Sequence, residues 1–230
     1  TDLSATRFQP QTIEFQYDEL GRRISKDVYD GLFVQGQSDP PLASSKIFFY
    51  DGWNLIAEVD DSGASNEVVR TYTWGLDLSG SEQGAGGVGG LLMVHEGLKT
   101  HFVAMDGNGN VSALTDGTTV TAEYEYGPFG EVLKVLGEIG NEMPIRFSSK
   151  YQDFETGLVY YGFRYYSNYL GRWMSRDPIE EEGGKNLYKF IKNNSIINHD
   201  RLGLFTDTIH IGIPAALASG LTLEELAFLF

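Results

Sequence analysis

Residues 46–59 read KIFFYDGWNLIAEV, and this stretch decides the fold class. Aromatic and β-branched residues crowd both halves, as strands require. Between them Asp51-Gly52-Trp53-Asn54 supplies turn residues where the chain must reverse. Residues 46–50 and 55–59 are therefore the two arms of a hairpin. The same design recurs outward. Asp106-Gly107-Asn108-Gly109-Asn110 reverses the chain between strands at 101–104 and 111–114. Asp116-Gly117 does so before the alternating Val120, Ala122, Tyr124 and Tyr126. Such units, spaced irregularly by a few tens of residues, fit a repeat architecture in which each hairpin buries its aromatic face on its neighbours. Strands are expected up to about Val135. A free-standing set of hairpins is marginal, so further repeats are expected before Thr1.

Composition agrees. The 230 residues suffice for one large β domain or two small ones, and 41% hydrophobic with 13% aromatic content supports a core. With 28 Gly, 13 Tyr and 14 Phe the chain is rich in turns and rings, which favours short strands. No cysteine is present, so disulfides and thiolate metal sites are excluded. A net charge of −15 opposes sequence-independent nucleic-acid binding, which needs clustered cations. No apolar run approaches the roughly 20 residues of a membrane helix. The absence of a charged-then-apolar leader reads as a fragment or a processed product.

Residues 81–90, SEQGAGGVGG, partly mimic a phosphate-cradling loop but lack its lysine and Ser/Thr. A structural loop before the strand at 91–94 is expected instead. His95, His101 and His210 show no metal-ligand spacing, so neither cofactor nor metal is expected. From 150 to 173 the composition changes to Tyr, Phe, Gly and Arg. Its rings, Tyr160, Tyr161, Phe163, Tyr165, Tyr166, Tyr169 and Trp173, cannot all face one side of a strand, and a packed aromatic core is expected. Beyond Leu204, Pro214 to Gly220 reads as a short helix. Thr222 and Glu225 form a capping box, with Leu221 and Leu226 as its hydrophobic staple.

Residues 177–204 read DPIEEEGGKNLYKFIKNNSIINHDRLGL. With Phe49-Tyr50-Asp51-Gly52, Tyr124-Glu125-Tyr126-Gly127-Pro128-Phe129-Gly130, Tyr160-Tyr161-Gly162-Phe163-Arg164-Tyr165-Tyr166 and Gly171-Arg172-Trp173 ahead of it, the segment resembles the core signature of RHS (YD-repeat) proteins. The resemblance spans roughly 13 to 204. Many relatives carry Gly where this chain has Glu180 and Pro where it has Arg201, so the turn at Asp200 loses a fixed φ.

The resemblance implies an all-β fold of consecutive antiparallel YD-type hairpins forming a curved sheet or shell fragment. Short helices are expected in the C-terminal core and tail, mainly after about Asn186. It divides the chain into repeat hairpins at 1–149, an RHS-associated core at 150–204, and the start of a variable cargo region at 205–230. In the family, Asp177 and Asp200 form an intramolecular aspartic-type peptidase that cuts after Leu204, here the Leu204–Phe205 bond. Two carboxylates held close push their pKa values apart and so supply both an acid and a base. The residues alone do not assign which is which, because a close pair titrates as a unit. Asp before Pro is also a common turn opener, and Asp200 equally suits a cap. Arg176 beside Asp177 favours its ionised form or anchors the turn. Extended, residues 200–204 span roughly 13 Å, so the bond must fold back, with Gly203 the natural place for φ > 0. His199 is expected at the surface or in a turn.

Three functions compete on this reading. The first is a shell that encapsulates a C-terminal polypeptide, often a toxin, and releases it by self-cleavage. The second is an inert teneurin-like adhesion module, and the third a glycan-binding or glycan-cutting β protein. The partners implied are the chain's own C-terminal cargo, preceding RHS repeats, and secretion machinery or a cell-surface receptor, with a secreted or cell-surface location.

Overall fold

A computed structural model describes residues 10–63, 65–195, 198–204 and 206–208. Ten strands form one open sheet in strict sequence order. They are β1 (Thr12–Tyr17), β2 (Arg23–Tyr29), β3 (Leu42–Asp51), β4 (Asn54–Asp60), β5 (Glu67–Trp74), β6 (Leu91–Glu96), β7 (Lys99–Met105), β8 (Val111–Thr115), β9 (Val120–Tyr126) and β10 (Val132–Leu136). Every neighbouring pair is antiparallel. Local chemistry explains the reversals. Asp106 Oδ1 accepts the N–H groups of Asn108 and Asn110, each at 2.9 Å, and closes the β7–β8 turn with its own side chain. Asp116 holds Thr118 and Thr119 in the same way at 2.8 Å.

One face of this sheet carries Phe48, Leu55, Tyr72, Leu91, Val94, Val111, Leu114, Ala122 and Tyr124 into a core closed by Ile139, Met143, Ile145 and Tyr151. Each large side chain so buried contributes about 1.5–3 kcal/mol. Tyr151 opens a second sheet, β11 (Tyr151–Gln152), β12 (Leu158–Tyr160), β13 (Tyr165–Ser167) and β14 (Arg172–Trp173), again in sequence order. A second core of Phe147, Val159, Tyr161, Tyr166, Trp173, Phe190 and Ile191 lies here, with the Phe190 ring stacked 3.9 Å from Tyr166. The aromatic block is thus largely internal. Tyr151, Tyr160, Tyr161, Tyr166 and Trp173 are buried, whereas Phe154, Phe163 and Tyr169 face outward, Tyr169 at 93% exposure.

The two sheets are pinned together by buried charge. Arg23 Nη1 of β2 lies 2.6 Å from Asp153 Oδ2, and Lys26 Nζ lies 3.1 Å from Oδ1 of the same carboxylate. The rings of Phe15, Phe48, Tyr151 and Tyr160 surround the Arg23 guanidinium. A third, two-stranded sheet joins β15 (Asn198–Asp200) to β16 (Thr206–Thr208).

Helical structure among the described residues comprises three 3-10 turns, Phe147–Ser149, Glu180–Gly183 and Ile191–Asn193. Two of them lie in the core at 150–204, and Phe147–Ser149 comes just before it, earlier than the region after about Asn186 where helix is mainly expected. The first turn arises because Ser148 and Ser149 adopt φ of +53° and +52° to bring the chain back over the sheet, where Ser148 N–H donates to Asn110 Oδ1 at 2.8 Å. The expected helices at 214–220 and from 222 onward lie outside the described residues. No helix among the described residues is long and apolar enough to cross a membrane.

Candidate functional site

The 177–204 segment folds back on itself. The Asp177 backbone N–H donates to the Leu187 carbonyl at 3.0 Å, and Asp177 Oδ1 accepts the Ile179 N–H at 3.2 Å, forming the turn that Asp-Pro announces. The Trp173 N–H donates to the Tyr188 carbonyl at 3.0 Å, which lays the returning strand beside β14. The chain then turns through Ile191, Lys192 and Asn193, all at positive φ, into β15. Because β15 pairs antiparallel with β16, Asp200 opposite Thr206, the connection carrying Leu204 is a short hairpin loop. Phe205 lies outside the described residues.

Asp200 organises that loop. Its Oδ1 accepts three successive backbone N–H groups, from Leu202 at 3.1 Å, Gly203 at 2.6 Å and Leu204 at 3.1 Å. Gly203 takes φ of +77°, the left-handed turn its position calls for, and a Cβ there would stand 3.2 Å from both the backbone nitrogen and Cβ of Arg164. Arg164, in the turn between β12 and β13, joins the two aspartates. Its Nη1 lies 2.9 Å from Asp177 Oδ2, its Nη2 3.6 Å from Asp200 Oδ2, and its Nε donates to the Gly203 carbonyl. The guanidinium rests on the Trp173 ring, 4.3 Å from its centroid.

Burial sets the electrostatics. Asp200 is 2% exposed, and desolvation pushes its carboxyl up to about 6, against the three N–H donors and Arg164, which pull it down. Burial also lowers the Arg164 guanidinium from its ordinary range, with Asp177 and Asp200 acting in the opposite sense. Lys150, behind the loop, is brought down to about 8 by the same cause. A carboxyl poised near neutrality, a second buried carboxylate and a fixed guanidinium can hold and pass a proton beside a peptide bond.

The glycine run forms the floor beneath this loop. Its N–H groups hold an internal anion, for Asp77 Oδ2 accepts from Ala85 at 2.7 Å and Gly87 at 3.1 Å. Gly86 lies so close to the loop that a Cβ there would meet the Arg201 carbonyl oxygen at 2.5 Å.

The structure therefore brings Asp177, Asp200 and Leu204 into one region and leaves Arg176 outside it, exposed. The guanidinium that serves the aspartates is Arg164. Its signal in the sequence was a cation inside an aromatic run, since a charge buried among rings demands carboxylate partners. His199 departs from expectation: it is buried in β15 opposite Asp207. Glu180, where the RHS resemblance leads to Gly, adopts φ of +54°.

The Teneurin YD-shell family model matches residues 86–197. The chain is an RHS/YD-repeat protein. This RHS chain is 31% identical over 196 residues to the tRNA3(Ser)-specific nuclease WapA of Bacillus spizizenii, covering 81% of the chain and 7% of WapA. It is 38% identical over 100 residues to the toxin subunit YenC1 of Yersinia entomophaga, covering 42% of the chain and 10% of YenC1. Its fold is that of the TcdB2-TccC3-TEV crystal structure, at a TM-score of 0.60 and 20% identity, over 89% of this chain and 9% of that one. The RHS chain thus spans about a tenth or less of these relatives. Its antiparallel strands in open sheets are the YD-shell architecture that the RHS resemblance implies.

Proposed function

We propose that this RHS chain is the closing part of a shell that encloses a C-terminal polypeptide, a toxin, and frees it by cutting its own backbone after Leu204. The observation that carries the reading is the convergence of Asp177 and Asp200 on Arg164, at the loop that contains Leu204. The names of the nuclease and toxin-subunit relatives support a toxin as cargo. The core at 150–204 would hold the machinery, the hairpins before it the wall, and residues from 205 onward the cargo's beginning.

In this mechanism Asp177, at 2.9 Å from Arg164, acts as the base and takes a proton from water. Asp200, whose carboxyl favours its proton up to about pH 6, gives that proton to the departing amine. The water oxygen bonds to the Leu204 carbonyl carbon, the C–N bond to residue 205 breaks, and the two aspartates exchange protonation states. Arg164 holds the Gly203 carbonyl and with it the register of the loop.

Intact mass under denaturing conditions tests the reading. Wild type should give two pieces divided after Leu204, and Asp177→Asn and Asp200→Asn a single uncut chain with an unchanged fold. Uncut wild type at every pH would favour the adhesion module, which the Teneurin YD-shell match also supports. Equal cutting of all three would make the aspartates turn formers.

A further inference from the structure

Three connections of the hairpin sheet meet beneath the loop that carries Leu204, and the one between β5 and β6 joins them. Gln83 ties it to the β3–β4 turn, its Oε1 accepting from the Trp53 N–H at 2.9 Å and its Nε2 donating to the Asp51 carbonyl at 2.8 Å. Ser149 Oγ ties it to the β7–β8 turn, accepting from the Gly89 N–H at 3.0 Å and donating to the Gly109 carbonyl at 2.7 Å. Asp77 clasps Ala85 and Gly87 from within, and Lys150 Nζ donates to the Gly86 carbonyl at 2.6 Å. A glycine-rich segment has many conformations open to it, and these bonds hold it in one.

Gly86 stands where this platform meets the loop. It takes φ of +66°, and a Cβ there would lie 2.5, 2.9 and 3.0 Å from the carbonyl oxygen, Cα and carbonyl carbon of Arg201. All three are backbone atoms, so no side-chain rotation relieves the clash. On the other side the Phe163 N–H donates to the Leu202 carbonyl at 3.0 Å, and Arg164 Nε donates to the Gly203 carbonyl. The core thus holds the carbonyls of 202 and 203, while the hairpin sheet backs the peptide of 201. From this grip we infer that Gly86 is a positioning residue for the cut after Leu204. The hairpin sheet limits how far the loop can withdraw from Asp177, Asp200 and Arg164, so cutting waits until those hairpins are folded. That consequence deepens the cleavage reading and rests on it, whereas the contact between Gly86 and Arg201 does not. A reacting bond free to drift loses most of the advantage of being held beside its acid and base.

Cutting rate in the full chain and hydrogen exchange of the loop amides test this together. Gly86→Ala should slow cutting by about 100-fold, and Lys150→Met, which keeps the bulk and frees the Gly86 carbonyl, by about tenfold. Gly80→Ala should cut like wild type. Gly80 lies in the same connection with φ of +74°, but a Cβ there has nothing within 4 Å, so it carries the backbone strain without the clash. In the uncut Asp177→Asn chain, the Gly203 amide, bonded to Asp200 Oδ1 at 2.6 Å, should exchange faster with Gly86→Ala. The gain should be about tenfold, the worth of one loosened hydrogen bond, with the amides of β6 and β8 unchanged. Undiminished cutting or undiminished Gly203 protection in Gly86→Ala overturns the inference. Equal slowing by Gly80→Ala also overturns it, tracing the effect to strain. Should Gly86→Ala release the β6 and β8 amides as well, the same two readings on Lys150→Met decide. In a wild type that never cuts, faster Gly203 exchange with Gly86→Ala but not Gly80→Ala upholds the positioning and overturns only the cleavage reading.

Discussion

At the scale of single residues, Asp200 makes stability depend on pH in an unusual direction. Its carboxyl stands near 6 in the fold against 3.8 for an ordinary aspartate, so between those values the native state binds more protons than the unfolded chain. Stability from this group is therefore complete at the acidic end and lost as pH rises from about 4 through about 6. The full loss is on the order of 3 kcal/mol. Comparing Tm against pH for Asp177→Asn with and without Asp200→Asn should show the gap between them changing across that window. A gap independent of pH would contradict a raised Asp200. Arg164 yields a second expectation. Arg164→Lys keeps a charge but cannot reach Asp177, Asp200 and the Gly203 carbonyl at once while lying on Trp173. It should abolish cleavage on intact mass, and Arg164→Met, which strands two buried carboxylates, should also cost about 3–5 kcal/mol in a urea melt. The two aspartates were legible in the sequence because the motif names them. Arg164 was legible only as an anomaly among rings, and Arg176 misled because adjacency in sequence says nothing about which side chain turns inward.

At the scale of elements, the hairpins were readable because their turn residues act locally. Asp106, Asp116 and the Asp-Gly pairs make their own hydrogen bonds wherever the rest of the chain lies. The left-handed turn at 148–149 was not readable, and that at 191–193 was readable only through Asn193, a residue that tolerates positive φ. Ser, Ile and Lys have no preference for positive φ, and the packing of the second core imposes it. Glu180 falls between these cases, since the departure from Gly marked the position and the backbone supplies the reason. A side chain at φ of +54° costs about 1–2 kcal/mol relative to glycine, so Glu180→Gly should stabilise the chain by up to that amount in a urea melt. If it destabilises, the exposed Glu180 makes a compensating contact. The aromatic element behaves as a true core. Trp173, 1% exposed and edge-on to Tyr161 at 5.0 Å, should cost about 3–5 kcal/mol when changed to Ala. Because Arg164 rests on its ring, the same change should slow cleavage even where the fold survives.

At the scale of the whole molecule, cutting a bond and releasing a fragment are separate events. Residues 206–208 pair with residues 198–200 across the hairpin, so a cut after Leu204 leaves the first strand of the downstream piece bonded to the core. A ladder of three residues is weak by itself. In the proposed shell it would nonetheless be held at high effective concentration by whatever part of the downstream piece is enclosed. The hairpin sheet is tied to the second sheet by Arg23, Lys26 and Asp153, a buried ion cluster whose disruption costs about 3–5 kcal/mol. Cleavage should therefore leave the two pieces together. Denaturing mass should show two chains where native mass or gel filtration shows one particle, and urea should part them in the same transition that opens the wall. Asp153→Ala, which strands Arg23 and leaves Lys26 only Glu155 without touching the hairpin at 198–208, should bring that parting to lower urea. Pieces that separate at once in buffer would mean that the cut itself is the release step and that the wall holds nothing.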